Sequence, residues 1–581
     1  MKRVCMWIAA LLPALALAMP VAFVDVNVVP MDRERVLAHQ TVVVDAGVIQ
    51  TLGPAAKVRI PAGALRVRAS GKYLMPGLYD MHVHLANTTE LPLYLVNGVT
   101  TVLNLSGTPA HLAWRRRVAE GALLGPRIFS TGPAMMQPRS ATDAVAEVKR
   151  VAAAGYDGVK VYSQVSQAEF PALVAQAKES GLLLVGHVPW EVGLDRTLQA
   201  GQAIAHAEEL LYSAFNPGPK GASIAGVRMD EARVDAVARQ VASARVYLMP
   251  TLIAFHDVER QAVELPAFLQ DPHLAYLPQW IRASLQPGVN RYDNRYSPLE
   301  LQVLRDGVPF LRKLTGALQA AGVPLLAGTD GTVIGPVAGF SLHEELRELV
   351  AAGLTPYQAL RSATANPAAF LREGERAGAV APGRRADLVL LDADPLRDVA
   401  NAARIRGVLT GGRWLERRRL DALLAAVPGE HLRLRDALAA QLQADPAAGA
   451  RALAEADPQG LMGGQVMAAV LNKEGEDGFE RLIDALRAHD PAADYASEDA
   501  YNNLGYALLA ENRMEAALYV LRKNARNFPR SANAADSLAD GLTRRGDIAG
   551  ARTEYTRALE LDPRYINADG ARKFLKENPG P

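Results

Sequence analysis

Between residues 74 and 374, short apolar runs alternate with longer stretches whose apolar positions recur every three to four residues. That alternation predicts repeated βα units built around a parallel sheet. The runs fall at Leu78–His84, Thr100–Ser106, Pro126–Thr131, Gly158–Tyr162, Leu182–Val188, Ala203–Ala207, Val246–Leu252 and Pro324–Asp330. Eight parallel strands in this length predict an α/β fold closed as a (β/α)8 TIM barrel. The connection Ile253–Val323 is unusually long and carries Trp280, Tyr292 and Tyr296, so it is expected to fold over the barrel mouth as a lid.

The flanks follow other patterns. Residues 19–73 are valine-rich and strand-like, as in Thr41-Val42-Val43-Val44-Asp45, and 375–416 returns to the same pattern at Ala386–Leu391 and Arg406–Leu409. The two segments are expected to pair into one small composite β domain beside the barrel. From 417 onward the chain reads as all-α, rich in alanine and leucine. Within it Leu504 and Leu538, Leu508 and Leu542, Ala517 and Ala551, and Pro529 and Pro563 are each 34 residues apart. That spacing resembles the tetratricopeptide repeat, a stacked helix–turn–helix unit. Repeats are expected over 501–576, with degenerate helical partners over 417–500, and such a tail suits protein or peptide contacts.

Length adds a constraint: 581 residues exceed one hydrophobic core. Lysine plus arginine (63) and aspartate plus glutamate (62) balance, which argues against nucleic acid as a partner. The start is different. Lys2 and Arg3 precede an apolar run from Val4 to Leu17, and Ala16-Leu17-Ala18 has the small-x-small pattern of a cleavage site. Residues 1–18 are therefore read as a secretory signal peptide, too short for a membrane span, and the mature chain is expected in the periplasm or secreted. Cleavage would remove Cys5, the single cysteine. Any metal in the mature protein must then be held by nitrogen and oxygen.

The chain has eleven histidines, and His82, His84, His187 and His206 fall at the C-terminal ends of expected strands, where barrels carry their active sites. His82 and His84 share one face of a strand, a metal-ligand geometry, with Asp80 one step deeper. Asp330 ends the eighth strand, where a carboxylate could bind metal and take a proton from water. Lys160 interrupts the apolar run Gly158–Tyr162, a costly inward charge unless paired, for instance with Asp157. Tyr162 shares its face and would touch substrate. His343 opens the helix after the eighth strand and reads as structural.

The run Pro76–His84 resembles the first-strand signature of the amidohydrolase superfamily. Gly186-His187-Val188 and Ala327-Gly328-Thr329-Asp330 resemble its fifth- and eighth-strand motifs, and Pro382–Val389 its closing segment. The nearest branch is imidazolonepropionase-like and prolidase-like, over about 24–415. The resemblance implies two divalent metal ions, zinc before manganese, cobalt or iron. His82, His84 and Asp330 would hold the first, His187 and His206 the second, and a carbamylated Lys160 would bridge them. Relatives often carry glutamate just before the sixth-strand histidine; here it is Ala205.

The function expected is metal-dependent hydrolysis of a C–N bond in a small amide, with Asp330 as catalytic base. A dipeptidase or Xaa-Pro peptidase is the narrower alternative. A third is an inactive barrel serving as an adaptor through its tail. Arg260, Arg282, Arg291 and Arg295 of the lid are candidates for pairing a substrate carboxylate. The tail contributes no candidate ligand and is expected to be dispensable for chemistry.

Overall fold

The computed structural model describes residues 19–580 apart from 137, 219–222, 288–289, 294, 332–334, 459–461, 490–496, 564 and 566. The expected signal peptide and Cys5 lie outside the described residues, as does the side chain of Trp280. Among the described residues, no helix is long and apolar enough to cross a membrane.

The valine-rich start forms β1 (Val21–Val28), β2 (Leu37–Asp45), β3 (Val48–Pro54), β4 (Leu65–Arg68) and β5 (Tyr73–Pro76). Next come β6 (Leu78–Val83), β7 (Val99–Asn104), β8 (Arg127–Ser130), β9 (Gly158–Val161), β10 (Leu183–Gly186), β11 (Ala203–Ala205) and β12 (Leu248–Met249). The last strands are β13 (Leu388–Leu391), β14 (Ile405–Thr410) and β15 (Arg413–Glu416). The first and last groups form one eight-stranded sheet in the order β15-β14-β13-β5-β1-β2-β3, with β4 also on β1. Its seam is the antiparallel pair β13–β5, Leu388 opposite Pro76 through Leu391 opposite Tyr73. Phe23, Val42, Leu74, Leu388 and Leu409 close a separate core there.

The middle strands form two parallel sheets, β6-β7-β8 and β12-β11-β10-β9. Parallel bridges at Thr131–Gly158 and Met135–Val161 join β8 to β9. The expected eighth strand, Pro324–Asp330, is not a regular strand. It is held between β12 and β6 by single bridges, Leu248–Leu325 and Val83–Gly331. It still bonds β6 through the backbone, with Met81 N–H donating to the Ala327 carbonyl (2.9 Å) and Asp330 N–H to the His82 carbonyl (2.8 Å), but Asp330 turns into the left-handed region at φ 56°. Other strands end earlier than the apolar runs suggested. β11 stops at Ala205, just before His206 (φ 73°), and β12 stops at Met249, before Thr251 (φ 47°).

The connection after β12 is mostly helical, with Leu252–Val263, Leu265–Phe268, Gln279–Ser284 and Pro298–Ala320. The C-terminal region is helical from Arg417. Its pairs Glu498–Ala510 with Met514–Asn527, and Ala532–Arg545 with Ile548–Leu561, begin 34 residues apart. Leu518, Leu521, Leu538, Leu542, Ala551 and Tyr555 share one core in that region. The region does not stand off from the rest. Leu420 and Val427 of the long helix Arg417–Ala444 belong to the same core as Leu78, Val99 and Leu346. Trp114 Nε1 also donates to the Glu455 carbonyl at 3.2 Å.

Candidate functional site

Period two puts Asp80 and His82 of β6 on one face, with His84 just beyond the strand end. His82 is fully buried. Its Nε2 lies 3.1 Å from Asp330 Oδ1, and His84 Nε2 lies 3.0 Å from the same oxygen. The close approach depends on Gly328, where a Cβ would fall 2.9 Å from His82 Cβ. Asp80 accepts from Thr329 N–H and its hydroxyl (2.8 Å), which ties the Asp330 segment to β6.

Lys160 is 1% exposed, and its Nζ lies 3.2 Å from His82 Nε2. It is not paired with Asp157, which instead meets Arg115 (2.8 Å) and Ser130 N–H (2.8 Å). Burial brings the Lys160 amine down to about 8, against an opposing pull from Asp330 and Glu209. Burial, with Lys160 beside His82, likewise pushes the imidazoles of His82 and His206 well below their ordinary value. Burial works against ionised Asp330, but the imidazoles around it, His82 first, hold its carboxyl well below the usual carboxylate range.

His206 follows β11; its ring centroid is 4.6 Å from that of His82 and 5.0 Å from that of His187. Both outer histidines are oriented through Nδ1. His206 Nδ1 meets Thr251 Oγ1 at 2.8 Å, and His187 Nδ1 meets Glu209 Oε1 at 2.7 Å. Such partners set the tautomer and leave Nε2 as the free donor atom. Gly186 makes the placement of His187 feasible, because at φ +152° a Cβ would collide with the Val161 carbonyl. Tyr162 stacks beside His187, with ring centroids 4.4 Å apart.

All six expected ligands, His82, His84, Lys160, His187, His206 and Asp330, thus converge. His343 does not join them; its Nε2 donates to the Asn97 carbonyl at 3.0 Å. Sequence reasoning missed Glu209 and Thr251. Their signals were faint: a carboxylate three residues after His206, and a hydroxyl at the end of the seventh apolar run.

The donor set fits divalent metal. Ligand atoms of His82, His206 and Asp330 all lie within 4.8 Å of one another, and His82 Nδ1 is buried without a partner. Neutral imidazoles and an ionised carboxylate are the protonation states that metal binding requires. Residues 73–415 match the amidohydrolase family. The chain belongs to that family. No curated protein matches it. Among solved structures, bottromycin amidohydrolase is 27% identical, with a TM-score of 0.55 over 70% of this chain and 90% of that one. A Xaa-Pro dipeptidase with bound methionine in its active site is 18% identical, with a TM-score of 0.53 over 68% of this chain and all of that one. A prolidase complexed with N-methylphosphonate-L-proline is 20% identical, with a TM-score of 0.51 over the same shares. The last two speak for the fold alone.

The four candidate arginines of the connection after β12 have different partners in this amidohydrolase. Arg260 is held by Asp257 (3.1 Å) and lies over the Phe268 ring. Arg295 donates to the Arg291 carbonyl (3.3 Å), and the charge of Arg282 acts on His431. Arg291 lies over Tyr292, 4.7 Å from its centroid, and its charge acts on Tyr162 at the site.

Proposed function

We propose that this amidohydrolase hydrolyses the amide bond of a small dipeptide-like substrate at a binuclear metal centre. The observation that carries the reading is the convergence of His82, His84, His187 and His206 with Lys160 and Asp330. His82, His84 and Asp330 would hold one ion and His187 and His206 the other, with carbamylated Lys160 between them. The bridges joining the parallel strands support a (β/α)8 ring with this site at its mouth. Zinc is the first expectation, since two neutral imidazole pairs and carboxylate oxygens suit it. Metal held by these residues would supply an acidified water and a Lewis acid for the substrate carbonyl.

The residues do the rest. Asp330, held ionised, takes the proton of the attacking water and passes it to the leaving nitrogen. Glu209 and Thr251 keep His187 and His206 in the tautomer that exposes Nε2. A lysine near 8 leaves about one amine in ten neutral at pH 7, against about one in three thousand at the ordinary value, and carbamylation needs the neutral amine. Arg291, with Tyr162 across from it, is the candidate for the substrate carboxylate. Export places such an enzyme among peptide fragments, and the paired C-terminal helices would act as tetratricopeptide-like repeats for a protein partner.

The test is a substrate screen of the metal-loaded mature chain against dipeptides, including Xaa-Pro pairs, and cyclic amides. Turnover of dipeptides is expected. Hydrolysis of cyclic amides or esters alone would overturn the peptidase reading.

A further inference from the structure

Thr251 opens the helix Leu252–Val263 but does not cap it with its own side chain. A threonine in this place ordinarily turns its hydroxyl back onto the first amides of the helix, which have no partner within it. Here the hydroxyl donates to the Pro250 carbonyl (2.8 Å) and meets His206 Nδ1 (2.8 Å). Its single hydrogen is committed to Pro250, so it accepts from His206 Nδ1–H, and the lone pair of Nε2 is left free. Thr251 also holds the left-handed backbone, at φ 47°, which is strained for a β-branched residue. The cap comes instead from a residue distant in sequence. Glu345, on the helix Phe340–Ala351, is fully buried, and its Oε2 accepts from Ile253 N–H at 2.9 Å. A carboxyl placed in the core is costly unless it satisfies a polar group there, and the amide of buried Ile253 is such a group.

We infer that Glu345 is a positioning residue of the metal centre: by capping the helix Leu252–Val263 from outside, it leaves the Thr251 hydroxyl to hold His206 with Nε2 toward the metal. The inference rests on the proposed role of His206 as a ligand. The relay is short. Glu345 bonds the second residue of the helix, Thr251 directly precedes the first, and a bond from Ala254 N–H to the Thr251 carbonyl (3.0 Å) closes the turn. On the other side, His206 N–H donates to the Met249 carbonyl (2.8 Å) and Ala207 N–H to the Pro250 carbonyl (3.0 Å), so the two strand ends stay side by side. Without Glu345 the Ile253 amide would be buried with no acceptor. Thr251 would then relax from the left-handed region to the extended backbone usual for a capping residue and turn its hydroxyl onto the helix. His206 would lose the partner that fixes its ring, and losing such a partner weakens metal binding about 10–100-fold.

The experiment measures zinc binding, in competition with a coloured chelator, by the wild type, Glu345→Met, Glu345→Gln and Leu346→Ala, each first freed of metal. Leu346 lies on the same helix as Glu345 and in the same core as Leu252, so its truncation reports loss of packing alone. Glu345→Met keeps the length of the side chain but removes the acceptor, and should weaken zinc binding at least tenfold. Glu345→Gln, whose amide oxygen takes the same bond, should bind as the wild type does. Wild-type affinity in Glu345→Met would overturn the inference, as would an equal loss in Glu345→Gln or in Leu346→Ala. Should Glu345→Met not fold, Glu345→Asp, one methylene too short to reach Ile253 N–H, is read in the same way. If the wild type itself binds no zinc, the metal reading falls, and crystal structures of the wild type and Glu345→Met decide. His206 Nδ1 and Thr251 Oγ1 parted in the variant uphold the positioning role, and an unchanged contact refutes it.

Discussion

His431 Nδ1 lies 2.6 Å from the Thr89 hydroxyl, joining the C-terminal helix Arg417–Ala444 to the loop that follows His84. The same imidazole donates from Nε2 to the Tyr276 carbonyl of the lid at 3.1 Å. Burial brings His431 down to about 4, so the ring is neutral and can donate from one nitrogen while accepting at the other. A residue of the C-terminal region thus ties the loop after His84 to the connection that follows β12.

The long helix Arg417–Ala444 is accordingly part of the main core. A chain ending at Leu415 loses Leu420 and Val427 from the core they share with Leu91 and Leu95, and it should fail to fold. A chain ending at Asp436 keeps both residues and His431, and it should fold and bind metal. Circular dichroism and elemental analysis of the two chains check this, and a well-folded 415-residue chain would contradict it. Within the full chain, His431→Ala leaves the Tyr276 carbonyl without its imidazole donor and should cost about 1–3 kcal/mol in denaturant unfolding.

Asp330→Asn keeps the size of the side chain but removes its charge and its capacity to take a proton. Turnover should fall by about 10²-fold or more while the fold persists. Retention of a tenth of the wild-type rate would contradict the base role.

Metal content tests Lys160. Protein made with added metal and bicarbonate should carry close to two ions per chain, and Lys160→Ala should carry about one, because the bridging carbamate is gone. Two ions in both proteins would remove Lys160 from the centre.

On the lid, Arg291→Ala should raise KM for a free-carboxylate dipeptide at least tenfold and change its C-terminal amide far less. The same substitution at Arg260, already held by Asp257, should not separate the two substrates. Indifference of Arg291→Ala to the carboxylate would move that contact elsewhere on the lid.

Acid sensitivity follows from three buried histidines away from the ligands. Burial brings His111, His343 and His431 to about 4 each, and each has a ring nitrogen bonded to a backbone carbonyl: those of Leu85, Asn97 and Tyr276. Their folded values lie below the unfolded value near 6.5. The stability they contribute is therefore present above pH 6.5 and is lost as pH falls toward 4. Each can add up to about 1.4 kcal/mol of slope per pH unit. Denaturant unfolding between pH 7 and 4.5 should weaken steeply, and a flat profile would refute the neutral assignment.

Some of this was legible in the residues alone. Alternating apolar runs locate seven parallel strands within a few residues, and the histidines at their ends mark the site, because strand periodicity dictates which side chains share a face. The pairing of Leu388–Leu391 with Tyr73–Pro76 was anticipated from the strand-like pattern shared by the two flanking segments. Local pattern does not reach further than that. The segment 324–330 pairs through single bridges and ends where Asp330 turns into the left-handed region, with Asp80, distant in sequence, holding the Thr329 hydroxyl. The orienting contacts of Glu209 and Thr251 and the different partners of the four arginines depend on which side chains meet across loops. Periodicity carries no information about such meetings. The docking of His431 on Thr89 spans 342 residues, and packing of the long helix Arg417–Ala444 against the helix Leu91–Val96 brings it about.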